Sequence, residues 1–316
     1  MIDCDVHNDW ATTDDLLPYL NQTFREYMLR GELPGPHGVF PKGQRRWFHP
    51  EGFVRRDICA SSPDHPGSDY ENMREKLLDL YDYDYAILLG EHPRIVQVLV
   101  SSGSQRPYGD PFYHPIWEAA AEYDLVIAAH LGGQGGVNAH SISNGPTTFF
   151  WETYALLCET AMTHVASLIA HGVFEKWSNL TFVGIECGVA WLPGVLWRLD
   201  ADYKALRKET PWLKRLPSEY AHDHIRLTTQ PLEQPENKQH LWDLLEGIDG
   251  KNTLLFSSDY PHWDFDDPNM VALPPEWMEN IFDANARKVY RKLPPLNGKK
   301  PSFPKSISGS ASNGSA

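Results

Sequence analysis

Downstream of residue 114 the chain alternates helical and strand patterns so regularly that few architectures fit it. Segments of helical period at 114–123, 149–170, 191–208 and 238–247 each lead to a short apolar run, at 125–130, 180–186, 225–229 and 253–258. Such runs, bounded by turn residues, read as buried strands, and strands alternating with helices argue for parallel β/α units. Further strands are predicted at 2–6, 85–89 and 95–100, a helix at 70–81 and a last helix at 275–293. The class is therefore α/β, a TIM-like (β/α)8 barrel, distorted because the count gives seven strands. The shortfall has an address. Only five residues, Gly90-Glu91-His92-Pro93-Arg94, separate Leu89 from Ile95, whereas a parallel crossover needs about a dozen. The strands on either side of this junction cannot be consecutive neighbours of a parallel barrel; either they pair unusually or one β/α unit is absent near 89–95, the second being the expectation.

The barrel is expected to occupy 1–293, interrupted by an irregular insertion at 9–67 that is rich in aromatic residues, Pro and Gly. A segment of that length inside a compact domain reads as a lid or binding loop. Residues 294–316, rich in Pro, Lys, Ser and Gly, read as a disordered tail. The formal charge of −14 argues against nucleic acid as a partner. No apolar run is long enough to span a bilayer, and no basic stretch leads into an apolar one at the start. A cytoplasmic protein is expected. The four cysteines, Cys4, Cys59, Cys158 and Cys187, lack CxxC spacing and read as free thiols.

Several strands end in residues that bind cations. Asp5 and His7 share one face of the first strand, because residues i and i+2 point the same way. His130 ends the run 125–130 ahead of Leu131-Gly132-Gly133, and Asp259 follows Leu254-Leu255-Phe256-Ser257-Ser258, with His262 three residues on. Each alone has an ordinary alternative, such as a capping carboxylate or a core histidine bonded to a carbonyl. Together they point to one metal at the mouth of the barrel, held by Asp5, His7, His130 and Asp259. This oxygen-and-nitrogen set suits Zn²⁺ foremost, with Mn²⁺ or Fe²⁺ as alternatives. A divalent ion lowers the pKa of bound water from about 15.7 to about 7 and polarises a carbonyl or carboxylate. Asp259 can both ligate and accept a proton. Glu186 can ligate, orient a ligating histidine or shuttle a proton, with a salt bridge to Arg226 or another base as the plain alternative. His262 can orient substrate or a ligand. Arg45, Arg46 and Arg55 are candidates for a substrate carboxylate, with solvated surface charge as the alternative, and Trp191 either walls the pocket or sits in the core. His171 reads as structural, while His222 and His224 either line the mouth or are structural.

At these residues the chain resembles the amidohydrolase superfamily, and within it the branch of aminocarboxymuconate-semialdehyde decarboxylase and related aromatic-acid decarboxylases. The resemblance is carried by Ile2-Asp3-Cys4-Asp5-Val6-His7, Asp110-Pro111-Phe112-Tyr113-His114-Pro115, Gly172-Val173-Phe174-Glu175-Lys176-Trp177, Glu186-Cys187-Gly188-Val189-Ala190-Trp191, Ser258-Asp259-Tyr260-Pro261-His262 and Asn285-Ala286-Arg287. It implies a distorted barrel with one divalent metal on Asp5, His7, His130 and Asp259, the last doubling as general base. Many relatives carry His where this chain has Glu186, and they have more sequence where Leu89 runs into Ile95. The expected activity is metal-dependent hydrolysis or non-oxidative decarboxylation of a small carboxylated substrate, aromatic or dienoic. A hydratase and a truncated barrel without activity are the alternatives. The expected partner is a small molecule, with neither nucleic acid nor membrane, and a homodimer is the assembly considered.

Overall fold

The computed structural model describes residues 1–8, 17–19, 21–22, 25, 55, 67–88, 95–130, 149–156, 158–296 and 300–304. Among them run seven strands: β1 (Ile2–Val6), β2 (Tyr85–Leu88), β3 (Gln97–Ser101), β4 (Val126–His130), β5 (Phe182–Ile185), β6 (Ile225–Thr228) and β7 (Leu254–Leu255). Ten α-helical segments accompany them: α1 (Tyr70–Met73), α2 (His114–Glu122), α3 (Phe150–Ala155), α4 (Cys158–Ala170), α5 (Val173–Lys176), α6 (Trp191–Leu206), α7 (Pro217–His224), α8 (Lys238–Glu246), α9 (Gly250–Thr253) and α10 (Asn285–Val289).

Every ladder is parallel, with β1 beside β2 and with β3 to β7 in chain order. Beyond β7 the chain turns onto β1. The amide of Cys4 donates to the Phe256 carbonyl at 2.9 Å, His7 to Tyr260 at 2.7 Å, and Asp259 to Asp5 at 3.1 Å. Val6 and Tyr260 form a parallel bridge. The spatial order is therefore β2, β1, β7, β6, β5, β4, β3, and among the described residues the barrel is not closed between β2 and β3. This is where the short Leu89–Ile95 junction lies, and no ladder joins the two strands it separates.

Both faces of the sheet are buried, which is why the strands read as continuous apolar runs. Ile127, Ala129, Phe182, Leu227 and Leu254 pack in one layer with Trp117, Leu168, Phe174 and Leu192 of the helices. Their chain neighbours Val126, Ala128, Val183, Ile185 and Leu255 pack in a second layer with Ile2, Cys4 and Ile87, closed by Ala286, Val289 and Tyr290 around α10. Each Val, Leu, Ile or Phe among them, fully buried, contributes about 1.5–3 kcal/mol.

Several element boundaries differ from the pattern. The helix expected at 70–81 becomes a π-helical turn at Arg74–Leu78. The one expected at 149–170 divides into α3 and α4, and 275–293 divides into a 3₁₀ turn, a π turn and α10. The tail also needs correction in part: Ser302 N–H donates to Asp84 Oδ2 at 2.8 Å and Phe303 packs against the larger core. Local composition could not show that contact; residues 305–316 lie outside the described set. Cys4, Cys158 and Cys187 are free thiols, and Cys59 lies outside the described residues.

One close approach is testable. A Cβ on Gly109 would sit 2.1 Å from the Ser167 carbonyl oxygen, and the Gly109 amide already donates to Ser167 Oγ at 3.0 Å. Gly109→Ala should cost about 1–3 kcal/mol in urea unfolding; an unchanged midpoint would contradict the contact.

Candidate metal centre

The strand-end carboxylates are brought together by backbone pairing. The bonds between β1 and the 256–260 segment set Asp5 and His7 alongside Asp259. Buried Asp3 reinforces the junction, its Oδ1 accepting from the amides of Asp5 at 3.1 Å and Ser258 at 3.0 Å. His130 is the last residue of β4 and registers with Ile185, so Glu186 follows beside it. Glu186 and Asp259 adopt left-handed φ of 55° and 58°, a conformation costing about 1–3 kcal/mol for a non-glycine residue and met most often at functional sites.

Donor atoms of Asp5, His7, His130 and Asp259 all lie within 4.8 Å of one another. His7 Nε2 is 3.0 Å from Asp259 Oδ1 and 3.5 Å from Asp5 Oδ1, and His130 Nε2 is 3.9 Å from Asp5 Oδ1. The His7 and His130 rings meet edge to face at 4.9 Å. Asp5 and Asp259 are fully buried, and both Asp5 oxygens and Asp259 Oδ2 lack a hydrogen-bond partner among the described residues. An uncompensated buried carboxylate is expensive; burial first, then the charges of Asp259 and Glu186 at Asp5 and of Asp264 at Asp259, pushes both acids well above the carboxylate range. A divalent cation removes that penalty, so the donor chemistry and the orphaned oxygens fit one.

Glu186 extends the cluster. Its Oε2 lies 3.2 Å from His130 Nε2 and its Oε1 accepts from Tyr154 Oη–H at 2.8 Å. Burial, then the Asp259 charge, raises its acid well above the ordinary value. Arg226 is not the partner of Glu186, since its Nη1 serves the carbonyls of His222 and Ile225; the base beside Glu186 is His130. His262 Nδ1 sits 2.7 Å from Asp259 Oδ1. Arg55 lies next to this turn, its amide donating to the Pro261 carbonyl at 2.9 Å and its guanidinium 4.4 Å over the Phe265 ring. Arg45 and Arg46 fall outside the described residues. Trp191 is buried in the larger core, its indole N–H donating to the carbonyls of Cys187 and Gly188, so it braces the turn after Glu186. His224 bonds the Leu180 carbonyl at 2.8 Å and stacks on Phe174, as a structural histidine does.

A sequence model of the amidohydrolase family matches residues 61–292. The chain belongs to the amidohydrolase family. No curated protein matches it significantly in sequence. In structure, this amidohydrolase is similar to the 5-carboxyvanillate decarboxylase LigW from Sphingomonas paucimobilis, with 19% identity, 92% of this chain and 98% of that one covered, and a TM-score of 0.54. A 2,6-dihydroxybenzoate decarboxylase complexed with 2,6-dihydroxybenzoate gives 19% identity, the same coverages and a TM-score of 0.50. Against an amidohydrolase from Mycobacterium avium subsp. paratuberculosis K-10, at 23% identity and a TM-score of 0.44, the match covers 61% of this chain and 49% of the other, about half its length. The likenesses to the two decarboxylases show the TIM-like fold, and among the described residues the barrel is open between β2 and β3.

Three residues of this amidohydrolase's site are not marked by strand-end logic. Tyr154 on α3 contacts Glu186 and also hydrogen-bonds Asp264 Oδ2, and Gln230 Nε2 donates to the same Asp264 oxygen at 2.8 Å. The only sequence signal is the density of acids after His262, at Asp264, Asp266 and Asp267. Tyr154 has one hydroxyl proton and faces two carboxyl groups. One of the two acids must carry a proton for both contacts to be hydrogen bonds.

Proposed function

We propose that this amidohydrolase is a divalent-metal-dependent lyase that removes CO₂ from a small aromatic or dienoic carboxylate. The carrying observation is the donor cluster at the barrel mouth with a proton-holding group beside it: Asp5, His7, His130 and Asp259 converge, and Tyr154 joins Glu186 to Asp264. A divalent ion on those four residues would supply Lewis-acid polarisation of the substrate's oxygens. The protein's own groups do the rest. Arg55, beside the Asp259 turn, receives a carboxylate. As the bond to CO₂ breaks, the vacated carbon takes a proton from the Tyr154–Glu186–Asp264 group, which solvent replenishes. The activities of the two decarboxylases similar in fold support the reading. Zinc, a cytoplasmic location and a homodimer belong to the same proposal; among the described residues no helix is long and apolar enough to cross a membrane.

Hydrolysis is the second reading, favoured by the pair His262 Nδ1–Asp259 Oδ1 at 2.7 Å, which suits Asp259 to act as a base. Protein loaded with Zn²⁺ or Mn²⁺ and offered carboxylated aromatics and lactones should release CO₂. Lactone opening without CO₂ would make it a hydrolase; neither reaction from metal-loaded protein would leave an inactive barrel. Tyr154→Phe should lower kcat by about 10²-fold and leave metal content unchanged; full activity in that variant would remove the proton-holding role.

A further inference from the structure

An amidohydrolase barrel open along one side should hold its metal ligands loosely beside the opening, and among the described residues β3, like β2, has a neighbour on one edge only. The peptide carrying His130 borders that strand. Val126 N–H donates to the Val96 carbonyl and Ser102 N–H to the His130 carbonyl at 2.8 Å. In a parallel ladder this phase directs the backbone groups of residues 96, 98, 100 and 102 toward β4, and those of 97, 99 and 101 away from it. Edge strands with unsupported ends open readily.

Here the end of β3 is tied down from the side. Tyr108 Oη–H donates to the Ser101 carbonyl, which faces away from β4. His164, buried on α4, approaches within 2.7 Å of the Ser102 carbonyl with Nε2. Its Nδ1 receives the Tyr108 amide at 3.3 Å, so the ring proton sits on Nε2 and points at Ser102. The two rings stack at 4.1 Å, and Trp117 Nε1 donates to the Tyr108 carbonyl at 2.8 Å. The result is a continuous chain of bonds from α4 through Ser102 to the backbone of His130.

We infer that His164 and Tyr108 form a side-chain staple that replaces the missing strand's support of β3 and so positions His130 for metal. The inference rests on the metal-centre reading above. His164 touches no proposed ligand and is a positioning residue; its effect reaches the ion through the Ser102–His130 backbone bond.

Titration of the full-length apoprotein with Co²⁺, followed by its visible absorption, tests this. His164→Ala should weaken Co²⁺ binding about 10–100-fold, the usual cost of removing support behind a ligand, and should alter the absorption band. His164→Gln, whose amide N–H can reach the Ser102 carbonyl, should recover most of the affinity. Leu168→Ala, on the same buried helix, should lower thermal stability and leave Co²⁺ affinity unchanged. Tyr108→Phe removes one hydroxyl and serves if His164→Ala does not fold; about tenfold weaker binding is expected. Wild-type affinity in both staple variants, or equal weakening by Leu168→Ala, overturns the staple while leaving the metal centre intact. A wild-type protein that binds no Co²⁺ overturns both.

Discussion

Asp259→Ala should reduce turnover by about 10⁴-fold or more, and the variant should purify without bound metal. Asp259 stands where three contributions meet. Its Oδ1 lies 3.0 Å from His7 Nε2 and 2.7 Å from His262 Nδ1, and its amide is bonded to the Asp5 carbonyl. Removing the carboxylate deletes one donor from a four-residue cluster and leaves His262 without the partner that orients it. Asp259→Asn separates the effects: the amide can keep the His262 contact, but its neutral oxygen is a poor cation ligand. The asparagine variant should therefore bind metal weakly yet fold normally. Elemental analysis beside a CO₂-release assay gives both readings. Substantial activity in the alanine variant would remove Asp259 from the centre of the chemistry.

The second large effect should appear in stability. The metal-free protein carries Asp5, Glu186 and Asp259 buried together, and burial and mutual repulsion push each acid upward. A ligand at a thousand times its Kd stabilises the folded state by about 4 kcal/mol. Saturating Zn²⁺ or Mn²⁺ should therefore raise the melting temperature by on the order of 5–10 °C, and chelation should reverse it. Asp5→Asn should show the opposite pattern. Without metal it should melt higher near neutral pH than the chelated wild type, because an acid whose folding requires its protonation is gone; with metal it should gain little. Parallel behaviour of the two proteins across apo and loaded states would rule out cation binding as the reason for this cluster.

How much of this could be read from the chain depended on whether a property was local. The gap between β2 and β3 was legible because a parallel crossover has a minimum length that residues 89–95 cannot meet. The donor set was legible because Asp5, His7, His130 and Asp259 each end an apolar run, and parallel strands deliver their ends to one place. Tyr154, Gln230 and Asp264 were not: a helix and two loops bring them to Glu186, and no periodicity encodes that meeting. Asp3 looked like one more strand residue until its oxygen was found clamping the amides of Asp5 and Ser258. The π turns at Arg74–Leu78 and Asn280–Ala284 were invisible as well, since apolar spacing averages over one extra residue per turn. Trp191 illustrates an ambiguity. Its place beside a proposed catalytic acid leaves a pocket wall and a core position equally open in the sequence, and only the structure puts it in the core with its indole bracing the backbone.

The strands bordering the gap carry none of the four proposed ligands, which ride on β1, on β4 and on the chain just past β7. The breach is thus displaced around the circumference from the cation. If this polypeptide breathes, amide deuteration should enter first through β2 and β3 and last along β1 and the 256–260 segment, so that the wall could part like a seam while the donors keep their spacing.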